Sequence, residues 1–166
     1  MIKIIKGAIL LMAVCSFFDF AYAAKDAVEI PGDFKLTAIA GGLAPGMKVS
    51  KVEIGAKGNC IYSEADPGNN AAGSFVEKGR FSLEEPAMRF IYETIISNNF
   101  FSLEKNYKAE GVLDGNFASL AITMDNKTHS VRTRNIRTDR FDNIMIAVNI
   151  VLPADKKIIY NEIIDL

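Results

Sequence analysis

The chain has 166 residues, 49% of them hydrophobic, with 19 Lys+Arg against 20 Asp+Glu and a formal net charge of −1. That balance excludes the strongly basic footprint of a nucleic-acid binder, and a single histidine excludes a histidine-rich metal site or a His-Glu-x-x-His zinc helix. Such a length suits one domain that buries a core without covalent staples.

Residues 1–23 read as a targeting segment. Lys3 and Lys6 supply a charged start, residues 8–18 are largely apolar, and Ala21-Tyr22-Ala23 places small residues where a signal peptidase needs them, so cleavage is expected before Ala24. Lipidation at Cys15 is the second reading, disfavoured because Val14 stands where a small residue is required. The apolar run is short for a bilayer, so no stable membrane span is expected after cleavage, and the product should be periplasmic or extracellular. Removing Lys3, Lys6 and Asp19 with the segment moves the net charge from −1 to −2. Cys60 is then the sole cysteine, which rules out an intrachain disulfide and predicts a buried thiol.

Residues 24–33 read as a flexible lead and 34–166 as a single domain. A first strand is expected over 34–40, ended by Gly41-Gly42-Leu43-Ala44-Pro45-Gly46, whose glycines suit positive φ. A second strand covers 47–54, with a bulge near Ser50 because the parity of Val49 does not match Val52 and Ile54. Cys60-Ile61-Tyr62 reads as a third strand, and Asp66 to Asn70 as an exposed loop. Glu64, Asp66, Asn69 and Asn70 lack the spacing of a calcium loop, so no metal or other cofactor is expected.

Residues 81–97 contain a helix, because Met88, Ile91, Tyr92 and Ile95 recur at helical spacing. Ser82 and Glu85 have the form of a capping box, Pro86 fits the opening turn, and Asn98-Asn99 stops the helix. From Phe117 to Met124 apolar and small residues alternate with a period of two, Asp125-Asn126-Lys127 supplies a turn, and a returning strand completes a hairpin. With Asn126 and Lys127 as the central pair, Ile122 would face Val131, and Ala121 and Ser119 would face Arg132 and Arg134. A second helix follows, capped by Thr138 or Asp139, striped by Phe141, Ile144, Met145 and Val148, and closed by Pro153. Residues 154–166 read equally as a strand or a short helix. The fold class is therefore α+β, a mainly antiparallel sheet with two helices packed on one face.

Gly41-Gly42-Leu43-Ala44-Pro45-Gly46 after a first strand, a helix leading into Asn99-Phe100-Phe101-Ser102-Leu103, Asp114-Gly115 before a hairpin, and a closing helix form a succession. It resembles that of the emfourin-like domains and of related small exported bacterial domains of unknown function, over about residues 34–153. The resemblance implies an inhibitor of thermolysin-like metallopeptidases, and so an exported peptidase as partner.

No catalytic set emerges from the residues themselves. A Cys60–His129 nucleophile pair is formally open, but Cys60 carries no motif and His129 stands by the hairpin turn. The directional feature is the basic stretch Lys127, His129, Arg132, Arg134, Arg137 and Arg140, which would suit an acidic partner or form an ordinary solvated sheet face. A binding module needs a rigid scaffold and exposed loops but no catalytic residues. Its expected contacts are Arg132, Arg134 and Arg137, the turn at Gly41 and Gly42, and the loop at Asp66 and Asn69. The alternative is an enzyme or small-ligand carrier, which needs a pocket with convergent polar groups.

Overall fold

The computed structural model describes residues 29–42, 47–65, 74–111 and 115–158. The leader, the cleavage site, Asp66 and Asn69 lie outside those residues. Seven strands and two helices follow in the order β1 (Lys35–Gly42), β2 (Val49–Gly55), β3 (Asn59–Ala65), β4 (Phe75–Ser82), α1 (Glu85–Ser97), β5 (Asn106–Lys108), β6 (Asn116–Met124), β7 (Lys127–Arg134) and α2 (Asp139–Val151). They form one sheet ordered β4-β3-β2-β1-β6-β7-β5, antiparallel throughout except where β5 runs parallel to β7. The expected α+β class, with its mainly antiparallel sheet and two helices, is what folds.

Alternation on the strands decides the layers. Leu36, Ala38, Val52, Ile54, Leu120, Ile122 and Val131 point to one face and are at most 1% exposed. The stripes of α1 and α2 close over them: Ile91, Ile95, Ile144 and Val148 are fully buried in the same core cluster. Residues of opposite parity, such as Thr37, Ile39, Lys51 and Ser119, stay half-buried, so among the described residues no layer covers the second face. Antiparallel sheets tolerate this because one face alone supplies the core.

Several expected details differ. The first strand does not end at Ala40 but runs through Gly42, and Gly41 and Gly42 are buried rather than displayed on a turn. A Cβ on Gly41 would lie 2.6 Å from the Lys48 carbonyl oxygen just before β2, so the glycine serves close strand approach. No bulge occurs at Ser50, because β1 and β2 pair without interruption and Ser50 itself points into the core. The irregularity lies instead between β3 and β4, where Tyr62 pairs with Gly79 but Ser63 with Glu77, leaving Lys78 as the extra residue. β4 went unread because Glu77, Lys78, Gly79 and Arg80 break the period of two, as an edge strand permits.

Ser82 ends β4 and caps nothing; α1 starts beyond it with Glu84 at the cap position and proline in its first turn. Its buried residues are Met88, Ile91, Tyr92 and Ile95, and Asn99 ends the run at φ 47°, a left-handed conformation that asparagine tolerates. Arg140 then ties α2 to this corner, donating to the Asn98 and Asn99 carbonyls at 2.7 and 2.6 Å. Thr138 holds the cap position of α2 without a side-chain cap hydrogen bond.

The hairpin is tighter than the sequence suggests. Met124 pairs with Lys127, so Asp125 and Asn126 form a two-residue turn, with φ 50° and 59°. Two successive positive φ values suit Asp and Asn better than Lys, and the register moves by two: Leu120 faces Val131, Ile122 faces His129 and Ser119 faces Arg132. A shift of two preserves every facing, so the assigned core face survives.

Candidate functional site

Among the described residues, the sheet face away from the helices is left uncovered. Its centre is apolar: Ile39 on β1, Val49 on β2, Ile61 on β3 and Phe117 on β6 are all half-buried there. Its two halves differ in charge. Over β2, β1 and β4, cations meet carboxylates: Lys51 and Lys35 lie 2.9 and 3.9 Å from Glu53, and Arg80 lies 2.8 Å from Glu77. Lys51 also stands 5.0 Å above the Phe75 ring.

Over β6, β7 and β5 the outward positions include Arg132, Arg134 and Lys108 and no carboxylate. Register builds this cluster. Arg132 pairs with Ser119 and Asn106, Arg134 with Phe117 and Lys108, and the Arg132 guanidinium sits 5.4 Å from the Phe117 ring centroid. A cation over an aromatic face gains about 0.5–1 kcal/mol at an exposed site, which helps hold the guanidinium in place. At the hairpin base, Asn135 Oδ1 accepts a hydrogen bond from the Asn116 amide at 2.8 Å, and Gly115 leaves room for that side chain.

The basic stretch is therefore divided by the fold. Arg132 and Arg134 belong to the sheet face. Arg137 is held 2.8 Å from Asp142, a buried carboxylate, and Arg140 is spent on the end of α1 and on Ser102. His129 points to the core side, where its ring packs on Phe100 and Phe101 with centroids 5.4 and 6.1 Å away. Its Nε2 lies 2.9 Å from the Leu103 carbonyl oxygen, a contact that only an Nε2–H can make as a hydrogen bond.

Cys60 is buried, donates to the Gly58 carbonyl at 3.2 Å, and has its thiol pushed up to about 11 by burial. The pair with His129 does not form: β2, β1 and β6 separate β3 from β7, four strand spacings or roughly 19 Å. A second feature is an open cleft of about 270 Å³ between the end of α1 and the hairpin tip. Ile96, Phe101 and Met124 line it, with Asp125 and Lys127 alongside. Its lining includes no Ser, Thr, Cys or His, and its size falls just under the range of ordinary ligand pockets. No group of three or more His, Cys, Asp or Glu residues suited to a metal ion occurs among the described residues, and no helix there is long and apolar enough to cross a membrane.

Lys108 and Phe117 complete the basic half of the face, and sequence reasoning assigned a contact role to neither. Phe117 was legible as an outward residue; Lys108 was not, because a three-residue strand gives no period to read. In comparisons with known proteins, no family model matches the chain and no curated protein matches it.

Proposed function

We propose that this protein is an exported, non-catalytic binding module whose uncovered sheet face docks an acidic segment of another protein. The observation that carries this reading is the charge of one half of that face: Arg132 over the Phe117 ring, with Arg134 and Lys108 at neighbouring outward positions and no carboxylate at the outward positions of those strands. Paired strands hold these side chains, so little ordering is needed on docking. Arg137 is engaged with Asp142 and stands outside the contact set, and Gly41 and Gly42 support it from within β1.

The resemblance to emfourin-like domains narrows the proposed partner to an exported metallopeptidase. Titrating the purified protein against a thermolysin-like peptidase tests that narrower step, with dose-dependent loss of peptidase activity expected. Unchanged activity at a large molar excess would remove the inhibitor while leaving the docking face. For the face itself, the experiment is a pull-down from the exported fraction with wild type and with Arg132→Ser/Arg134→Ser. Capture should fall in the variant and with added salt, because the contact is electrostatic. Equal capture by both proteins would sink the proposal. Export is checked by mass spectrometry of the secreted product, which should begin at Ala24; a lipidated start at Cys15 would overturn it.

A further inference from the structure

The two ends of the sheet are finished differently. At one end the three-residue β5 covers part of β7, and the His129 contact to Leu103 shields more of it. At the other end β4 runs for eight residues with β3 on one side and, among the described residues, no strand on the other. Long open edges invite strand addition, and charges or a bulge usually guard them. β4 carries both guards, but they are arranged symmetrically.

From the register with β3, Val76, Gly79 and Phe81 face the helices, while Phe75, Glu77, Arg80 and Ser82 face outward. That pattern reads the same from either end about a point between Lys78 and Gly79. In a regular strand a two-fold axis between residues would oppose side chains of opposite faces, which is impossible in an antiparallel pair. The extra residue at Lys78 flips the parity at the centre and removes the obstacle.

We infer that β4 is a self-pairing edge, through which two copies of this chain join antiparallel about a two-fold axis between Lys78 and Gly79. In that register Glu77 of each copy meets Arg80 of the other, Val76 meets Phe81, and Lys78 meets the position that has no side chain. Val76, now 50% exposed, is covered by an apolar partner. Within one copy Glu77 and Arg80 already pair at 2.8 Å in solvent, so exchanging these contacts for cross-copy ones loses little. A strand from an unrelated protein meets no such match, so the same charges that guard the edge select a second copy. This inference does not depend on the acidic partner, since it uses the opposite edge and a different set of residues.

Sedimentation velocity on the protein purified from cells expressing the full chain tests it. Wild type should dimerise with rising concentration, and Glu77→Lys or Arg80→Glu should each weaken association about tenfold or more, because each opposes like charges twice per dimer. An equimolar mixture of the two variants should recover dimers. There the lysine introduced at position 77 of one copy meets the glutamate introduced at position 80 of the other, and the unaltered Arg80 meets the unaltered Glu77. Loss of the pair within a single strand cannot explain that recovery. Circular dichroism confirms that each variant is folded. Wild type remaining monomeric up to roughly 100 µM overturns the inference, as does a mixture that fails to pair or single variants that dimerise like wild type.

Discussion

Asp33 fastens the chain's lead to the far end of the hairpin. Its carboxylate accepts from the Asp125 and Asn126 amides at 3.0 and 2.7 Å, ninety-odd residues away in sequence, and so holds the tight turn from outside. Asp33→Ala should cost about 1–2 kcal/mol, read as a lower thermal midpoint, because two charge-assisted bonds are lost from a partly solvated site. A midpoint that does not move would mean the turn holds itself. Cys60 and Tyr62 make a second prediction at this scale. Burial pushes the Cys60 thiol from 9.0 to about 11, and burial with the Glu64 contact pushes the Tyr62 hydroxyl from 10.0 to about 12. Both groups hold their protons longer folded than unfolded, so their contribution is intact below pH 9 and is lost as pH climbs from 9 to 12. Urea midpoints should therefore fall across that window, and Tyr62→Phe should flatten the upper part of the fall. Iodoacetamide at pH ~8 should label Cys60 only after unfolding.

At the scale of elements, stability rests on the face where helices and strands interlock. Ile122 of β6 and Val148 of α2 are both fully buried, so Ile122→Asp or Val148→Asp would bury a charge among apolar neighbours. Each should cost more than about 3 kcal/mol and abolish the cooperative thermal transition. A folded, soluble variant at either site would show that its element faces solvent. Gly41→Ala probes the approach of β1 to β2 and should lower the midpoint, because the new methyl meets strand backbone rather than a side chain that can yield. Arg140 acts across elements: the Asn98 and Asn99 amides close the end of α1 on the Thr94 and Ile96 carbonyls, and the guanidinium carried on α2 binds the carbonyls that Asn98 and Asn99 leave exposed.

For the whole molecule the consequence is an unequal pair of faces. Among the described residues, one side of the sheet is closed by two helices and the other stays open, with cations paired to carboxylates over one half and cations without outward carboxylates over the other. Arg132→Ser/Arg134→Ser should weaken capture of an acidic partner and reduce its salt dependence; Arg132 is exposed, so Arg132→Ser alone should move the thermal midpoint little, since exposed charges contribute only ~0–1 kcal/mol to stability. Much of this body was legible beforehand, because the helical stripes at 88–95 and 141–148 and the alternation at 117–124 are properties of local sequence set by the core. Facing also survived a wrong register: a slip of two leaves Ile122 inside and Arg132 outside. What local pattern could not supply was anything fixed by a distant partner. β4 exists because β3 lends it hydrogen bonds despite a broken period, and Gly41 is buried because β2 comes close enough to exclude a side chain. The turn at Asp125-Asn126 is held by Asp33 from outside the hairpin, and Cys60 and His129 were separated only when three strands came between them. Sequence alone thus determined which faces are apolar, since burial follows side-chain chemistry at a fixed period. Tertiary structure alone decided which charges share a surface, since strand order and register are set by pairing between segments far apart in the chain.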